Sequence, residues 1–416
     1  MLLAAYSAHA QTYTYSVLYT FTGAADGGNP YSSLYRDPAG DLYATTLNDG
    51  GASGCGTVVE ILFSTTLPWT EKPLHTFAGK PDDGCNPYGG LVVDKKGNLY
   101  GTTYAGGTDS LGTVFELTPP AKKKGSWTYN VIYNFAGAPK DGANPEDGLV
   151  LDSNGNLYGT TVGGGADGDG AAFELSPSAT GFTESMLYSF KGKPDGTDPY
   201  AGLQLDAKDN AYGVTAAGGA NGQGMVFELT PSDGVWTETP LYSFCPVTGC
   251  KDGGWPSGTL VVEGGYYGTT QAGGAHGDGT VFEFLKAKSK EVVLYSFQGK
   301  PDGSTPVAGL AGGTKGVYYG TTSAGGANNN NGMVFALTPE PSGGCPSGSN
   351  QGDFYCETNL YSFCSQASCS DGAVPIAALI QDAKGNLYGT TKQGGNTACG
   401  GSGCGVVFKL TPSTSE

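Results

Sequence analysis

From Trp127 to Phe135 polar and apolar residues alternate, so that Tyr129, Val131, Tyr133 and Phe135 fall on one face of an extended segment. This is the pattern of a half-buried β-strand. Three shorter segments precede it: Gly90 to Asp94, Asn98 to Thr103 and Gly112 to Pro119. They are rich in β-branched and aromatic residues, and Gly, Pro, Asp and Asn separate them as turn formers. The stretch predicts four antiparallel strands of about five to eight residues each.

The same four-strand pattern runs along the whole chain. The tyrosine of Leu-Tyr-Gly-Thr-Thr, or its near copy, stands at Tyr43, Tyr100, Tyr158, Tyr212, Tyr267, Tyr319 and Tyr388. The phenylalanine of Leu-Tyr-Ser-Phe stands at Phe21, Phe77, Phe135, Phe190, Phe244, Phe297 and Phe363. The Phe spacings are 56, 58, 55, 54, 53 and 66, so one unit carries an insertion. Two markers in phase define seven tandem units. Four short strands per unit predict an all-β fold: a single seven-bladed β-propeller of four-stranded antiparallel blades over residues 11–416.

A linear β-solenoid is the competitor, but its coils are usually shorter and it needs distinct caps. The ends here suit a ring instead. The chain opens with a lone fourth strand, Thr12 to Phe21, and finishes on a third strand, Gly405 to Thr411. The N-terminal strand can therefore complete the last blade and leave no edge open. In this phasing two recurrent loops share one face of the disc. One carries Asp-Gly at Asp26, Asp83, Asp141, Asp195, Asp252, Asp302 and Asp371; the other carries a Gly-Gly tip, from Gly50-Gly51 through Gly394-Gly395.

Ten cysteines group into near pairs: Cys245 with Cys250, Cys345 with Cys356, Cys364 with Cys369, and Cys399 with Cys404. Cys55 and Cys85 remain, and they would bridge the two loop types of adjacent blades on that shared face. Zinc is the rival reading, but CxxC pairs are lacking and His75 and His276 lie in different units. Disulfides point to an oxidising compartment. Ala8-His9-Ala10 before Gln11 fits the small-x-small cleavage rule, so residues 1–10 read as the remnant of a secretory signal peptide, with no basic n-region ahead of it. No apolar run approaches the roughly 20 residues of a membrane-spanning helix, and no anchor is read in the last residues.

Composition adds the sign of the surface. With 72 glycines and 24 prolines the chain would read as low-complexity, were they not at fixed places in each unit. The net charge of −17 argues against nucleic acid and anionic membranes as partners. The run Lys122, Lys123 and Lys124 reads as a solvated turn between strands.

Strand, strand ending in Gly-Gly, strand, then strand opening on Trp resembles the kelch propeller blade, with Trp127 and Trp236 in the place of the kelch tryptophan. The fuller unit, Leu-Tyr-Ser-Phe…Asp-Gly…Pro…Gly-Leu…Asp…Gly-Asn-Leu-Tyr-Gly-Thr-Thr…Gly-Gly…Gly-Thr-Val-Phe-Glu-Leu-Thr-Pro, resembles the bacterial GloVer (Gloeo/Verruco) tandem repeat from about residue 12 to 412. That resemblance implies an exported bacterial protein, secreted or at the cell surface, and implies no particular activity.

Candidate chemistry lies mainly on the loop face. The seven Asp-Gly aspartates read functionally as Ca²⁺ ligands or acceptors for sugar hydroxyls. Their structural reading is an Asx-turn, with the carboxylate accepting a backbone N–H and glycine supplying the positive φ. No other cofactor is expected. The Thr pairs, such as Thr102-Thr103, read as strand residues near the axis. Each Leu-Tyr-Gly tyrosine reads as wedged between blades with its hydroxyl bonded. The Glu of Phe-Glu-Leu (Glu60, Glu116, Glu174, Glu228, Glu283) becomes Ala336 and Lys409 in the last copies, and reads as an outward surface position.

A unique active site needs a break in the symmetry. Extra carboxylates gather in units two to four: Asp109, Glu146, Asp147, Asp167, Asp169 and Asp198. Two of them, set roughly 5–10 Å apart, could act as acid and base in glycoside hydrolysis, though acidic loops are also commonly just solvated. His276 with Asp278 is a weaker oddity, since one histidine makes a thin case for acid–base work. The leading expectation is a secreted, monomeric, non-catalytic propeller that binds a glycan or protein partner through its loop face. The alternative is a glycoside hydrolase or polysaccharide lyase using those carboxylates.

Overall fold

The computed structural model describes residues 12–413, apart from 52, 80, 122–124, 313–315, 342–343, 346–348 and 353. The signal-peptide segment and the lysine run 122–124 lie outside the described residues. The chain forms a ring of seven antiparallel sheets. Blade 2 shows the plan in order: Val92–Val93, Leu99–Thr103, Thr113–Thr118 and Thr128–Asn134. Blade 7 is built from Ile380–Gln381, Leu387–Thr391 and Val406–Pro412, and its fourth strand is the N-terminal Tyr13–Thr20. The register runs from Tyr13 opposite Pro412 to Thr20 opposite Val406. The ring closes through this strand.

Each blade contributes inward-facing residues to the seams, where Phe21, Phe77, Phe135, Phe190, Phe244, Phe297 and Phe363 are fully buried. Apart from Phe21, which packs in a cluster with Val59, each meets a second phenylalanine edge-on across the seam. Phe77 meets Phe115 at 5.3 Å and Phe363 meets Phe408 at 5.1 Å. The innermost strands are shorter than the pattern predicts: Val92–Val93 and its counterparts pair over only two residues. The residues just before them turn into the axial wall and bond to the neighbouring blade instead. The insertion in unit six adds a short strand, Asn350–Gln351, to the outer edge of blade 6.

The first threonine of each Thr-Thr pair supplies those axial bonds. Thr45, Thr102, Thr160, Thr269, Thr321 and Thr390 donate to the carbonyls of Gly89, Asp147, Ala201, Ala308, Ala377 and Ser32 of the following blade, at 2.8–3.3 Å. Blade 4 has Val214 at that place.

The two recurrent loops do share a face. Gly84–Cys85 pairs with Ala105–Gly106, Gly142–Ala143 with Gly163–Gly164, and Gly303–Ser304 with Ala324–Gly325. All five expected disulfides form, and Cys55–Cys85 links the loops of blades 1 and 2 with a Cα–Cα distance of 4.5 Å. No helix among the described residues is long and apolar enough to cross a membrane.

Candidate functional site

The Asp-Gly aspartates are held by the protein's own donors. Asp141 accepts from the backbone N–H of Ala136 and Gly142 at 2.7 Å and from the Tyr133 hydroxyl at 2.9 Å. Asp302 repeats this with Tyr295, Gln298 and Gly303, and Asp195 with Tyr188, Lys191 and Gly196. Asp26 and Asp371 use Tyr19 and Tyr361, Asp252 uses Tyr242, and Asp83 takes His75 Nε2 at 3.0 Å where the other copies have a tyrosine. Such a carboxylate ties the end of the fourth strand to its turn. Among the described residues no group of three or more His, Cys, Asp or Glu is placed to hold a metal ion.

Beside these aspartates lies a set of residues that the sequence did not single out. Six positions before each marker phenylalanine, the next blade presents Glu71, Glu184, Glu238, Glu291 or Glu357; in the remaining two copies it presents Tyr129 or Tyr15. One carboxylate oxygen, Oε1, of each of these five glutamates is buried with no hydrogen-bond partner. Burial, aided by the negative Asp26, Asp141 or Asp195, pushes Glu71, Glu184 and Glu238 up to about 7. Burial with Asp252 or Asp302 pushes Glu291 and Glu357 up to about 8. These glutamates therefore keep a proton at the seams up to near neutral pH.

The Glu of Phe-Glu-Leu is not a bare surface position. Tyr43, Tyr100, Tyr212 and Tyr267 donate their hydroxyls to Glu60, Glu116, Glu228 and Glu283 at 2.7–3.0 Å, and Glu228 is buried. Its replacement in the last copies has a physical counterpart. Beside Ala336 the Tyr319 hydroxyl bonds Tyr13, and beside Lys409 the Tyr388 hydroxyl bonds Asp382. The kelch-like tryptophan place is aromatic more often than Trp127 and Trp236 suggest. Phe182 packs on Tyr100 and Tyr13 on Tyr319 just as Trp127 packs on Tyr43, with ring centres 6.1–6.5 Å apart.

Symmetry breaks at the axis. On the loop face each unit sends a Pro-x-x-x-Leu segment to the central opening, and these segments line a cavity of about 440 Å³. Their first variable residues are Tyr31, Tyr88, Glu146, Tyr200, Ser257, Val307 and Ile376 around the ring. Blades 1 to 4 thus give the mouth an aromatic and acidic side, while blades 6 and 7 give an apolar one. A second cavity of about 410 Å³ continues inward along the first strands and shares Asp147 and Thr259. Tyr31 meets Tyr88 edge-on at 5.0 Å, and Tyr88 meets Tyr104 at 5.5 Å. Burial, with Tyr31, Glu146 and Tyr104 close by, pushes Tyr88 up to about 12. Tyr200 is raised by burial and by Asp198, and it remains 38% exposed.

The two adjacent carboxylates of blade 3 have different surroundings. Asp147 Oδ2 accepts from Gly202 N at 2.5 Å and Thr259 Oγ1 at 2.6 Å, and Oδ1 accepts from Gly148 N at 2.7 Å. It fastens the loops of blades 3, 4 and 5 together. Glu146 accepts no hydrogen bond from any described residue. Burial and the negative Asp198 and Asp147 push it up to about 7. Asp198 is raised as well, first by burial and then by Asp169. Asp169 itself accepts from Thr197 Oγ1 at 3.1 Å. Asp109 and Asp167 are exposed on loop tips and do not line the mouth. His276 is exposed, and Asp278 is held by Ser304 at 2.6 Å. Of the candidate carboxylates, Glu146 and Asp198 stand out: Glu146 lines the mouth, Asp198 is its electrostatic neighbour, and among the described residues neither is fixed by an ion pair.

No curated protein matches this chain. Among solved structures, the extracellular domain of a B. thetaiotaomicron protein described as a candidate one-component system is similar at 10% identity and a TM-score of 0.54, over 97% of this chain and 40% of that one. This chain thus spans less than half the length of that structure. A Thermus thermophilus protein described as an oxidoreductase (glucose dehydrogenase) is similar at 13% identity and TM-score 0.42, over 96% and 99% of the two chains. The PQQ-bound aldose sugar dehydrogenase of Streptomyces coelicolor is similar at 12% and 0.41, over 97% and 99%. The first likeness is one of fold alone, and the other two are too weak to bear on this chain. The family model of the Gloeobacter/Verrucomicrobia repeat matches residues 4–192 and 179–345, and the chain belongs to that repeat family.

Proposed function

We propose that this protein is an exported propeller that binds a glycan, without turning it over, at the axial mouth of its loop face. The observation that supports this reading most directly is the arc of Tyr31, Tyr88 and Tyr200 around a cavity of about 440 Å³, with Tyr104 packed edge-on behind Tyr88, at positions where the copies differ. A pyranose ring presents an apolar face to such rings and hydroxyls to the groups between them. The five disulfides support export. A glycan array followed by titration calorimetry tests it: Tyr88→Ala and Tyr200→Ala should each weaken binding by about fivefold or more, on the roughly 1 kcal/mol typical of an aromatic contact. Array binding that is unaffected by both substitutions would place the ligand elsewhere.

A second reading has its own support, because Glu146, at about 7, beside Asp198 is the kind of pair that serves as general acid and base. If the protein is a hydrolase or lyase, turnover on a polysaccharide panel disappears in Glu146→Gln and in Asp198→Asn. Binding without turnover leaves the recognition reading alone.

A further inference from the structure

Tyr31 already carries an ammonium group. Lys392 Nζ lies 4.8 Å from the centre of its ring and donates to its hydroxyl at 3.0 Å. Tyr88 and Tyr200 occupy the same place in the segments of blades 2 and 4, directly after Pro87 and Pro199. Among the described residues no lysine or arginine is placed over either ring. Among the described residues, then, one of these three equivalent seats holds an ammonium group and its two copies hold none. Both copies are electrostatic neighbours of Glu146, and Tyr200 is also a neighbour of Asp198.

We infer that the mouth selects a cationic sugar: an oligosaccharide of 2-amino-2-deoxy sugars, its ring faces on Tyr88 and Tyr200 and its ammonium groups at Glu146 and Asp198. The inference rests on the reading of the mouth as a glycan site and names the class of glycan. Three chemistries are weighed by the same residues. A neutral sugar can use the rings and offer hydroxyls to Glu146, but it brings no positive charge to offset Glu146, Asp147 and Asp198. A uronate brings a further negative charge to a mouth already lined by Glu146 and Asp147, with Asp198 acting on Glu146 from beside it, on a chain of net charge −17. An aminosugar uses both features, since its cation is attracted to the tyrosine faces and pairs with the carboxylates. Glu146, at about 7, must be ionised to pair, and the sugar amine must be protonated. Affinity should then peak near neutrality and fall on either side.

The test is titration calorimetry of the intact protein with tetramers of glucosamine, N-acetylglucosamine, glucose and galacturonate, and with a pentalysine peptide. The glucosamine tetramer should bind about tenfold tighter than the acetylated one, the sum of one partly exposed ion pair and one cation–π contact. That preference should shrink to about twofold in the Glu146→Gln, Asp198→Asn double variant and weaken with added salt. Tyr88→Ala should lower binding of glucosamine and N-acetylglucosamine tetramers alike. Equal affinity for the acetylated and free-amine tetramers overturns the aminosugar inference and leaves the glycan site standing. A preference that survives the double variant also overturns it. Tighter binding of pentalysine would show that the seat serves a basic peptide. Failure of every saccharide to bind defeats the glycan reading itself, and this inference with it.

Discussion

Raising the pH should loosen the blade seams, and Glu357 allows the size of the effect to be worked out. This side chain is wholly buried in blade 6, its Oε2 accepts from Asn350 Nδ2 at 2.8 Å, and its Oε1 has no partner. Asp302, itself raised by burial, and the Tyr295 hydroxyl face it from the adjoining blade. Burial and Asp302 carry Glu357 from its ordinary 4.5 to about 8. The folded state thus holds a proton that the unfolded state has released. The stability this contributes is complete below about pH 4.5 and is lost as the pH rises to about 8; above that both states are ionised and the loss stops. A shift of about 3.5 pH units at 1.36 kcal/mol each gives a loss on the order of 5 kcal/mol. Glu71, Glu184, Glu238 and Glu291 act in the same direction, but they are partly open to solvent, and screening reduces each to about 1–2 kcal/mol. Urea unfolding followed by fluorescence between about pH 5 and pH 8 measures the sum. The midpoint should fall steadily across that range. Glu357→Gln, which keeps the shape and cannot ionise, should flatten the slope by about 1.4 kcal/mol per pH unit and be more stable than the parent at the alkaline end. A parent whose midpoint stays level or rises with pH would refute the reasoning, and so would a variant parallel to it.

Other outcomes follow from single contacts. Removing residues 12–21 takes away the fourth strand of blade 7 together with buried Leu18 and Phe21, so the truncated chain should not show the parent's cooperative thermal transition; an unchanged melting temperature would rule out closure. Thr102→Val deletes one axial bond to Asp147 O and should cost about 1 kcal/mol in urea unfolding, because blade 4 already tolerates Val214 at that place. Asp141→Ala should cost about 3 kcal/mol or more, since it strands two backbone N–H groups and the Tyr133 hydroxyl at once. Replacing both Cys245 and Cys250 by Ser should leave the propeller folded, because so short a disulfide loop contributes only about 2 kcal/mol; collapse of that variant in circular dichroism would assign the bridge a larger part.

The ring was legible because each blade repeats the same buried rings and the same turn residues, so an error in one copy is corrected by six others. The pairing of Cys55 with Cys85 was legible for a related reason, as blade order fixes which loops are neighbours. Two features were harder to see. The seam glutamates stand at the register of Tyr129, on the apolar side of an alternating strand, and an acid on a buried face was the available signal. Reading Glu228 and its counterparts as surface failed because loss of a residue in two copies is equally what a changed partner produces. The mouth was only half legible. Glu146 stands out in the sequence as an acid in a loop, but Tyr31, Tyr88 and Tyr200 come from three different units, and only the convergence of Pro-x-x-x-Leu segments on the axis brings them around it.

The closing strand has a consequence for how the molecule is made. Tyr13–Thr20 is synthesised before every other strand of the ring, yet its partner Val406–Pro412 emerges only after all the others. Until then six blades can stack while an apolar strand and an open third-strand edge wait at opposite ends of an incomplete ring. Either end can be satisfied by its own chain or by the corresponding end of another molecule. At high concentration during refolding, then, the same strand that seals one ring is the element most apt to be exchanged between two, giving a swapped dimer whose every blade is native.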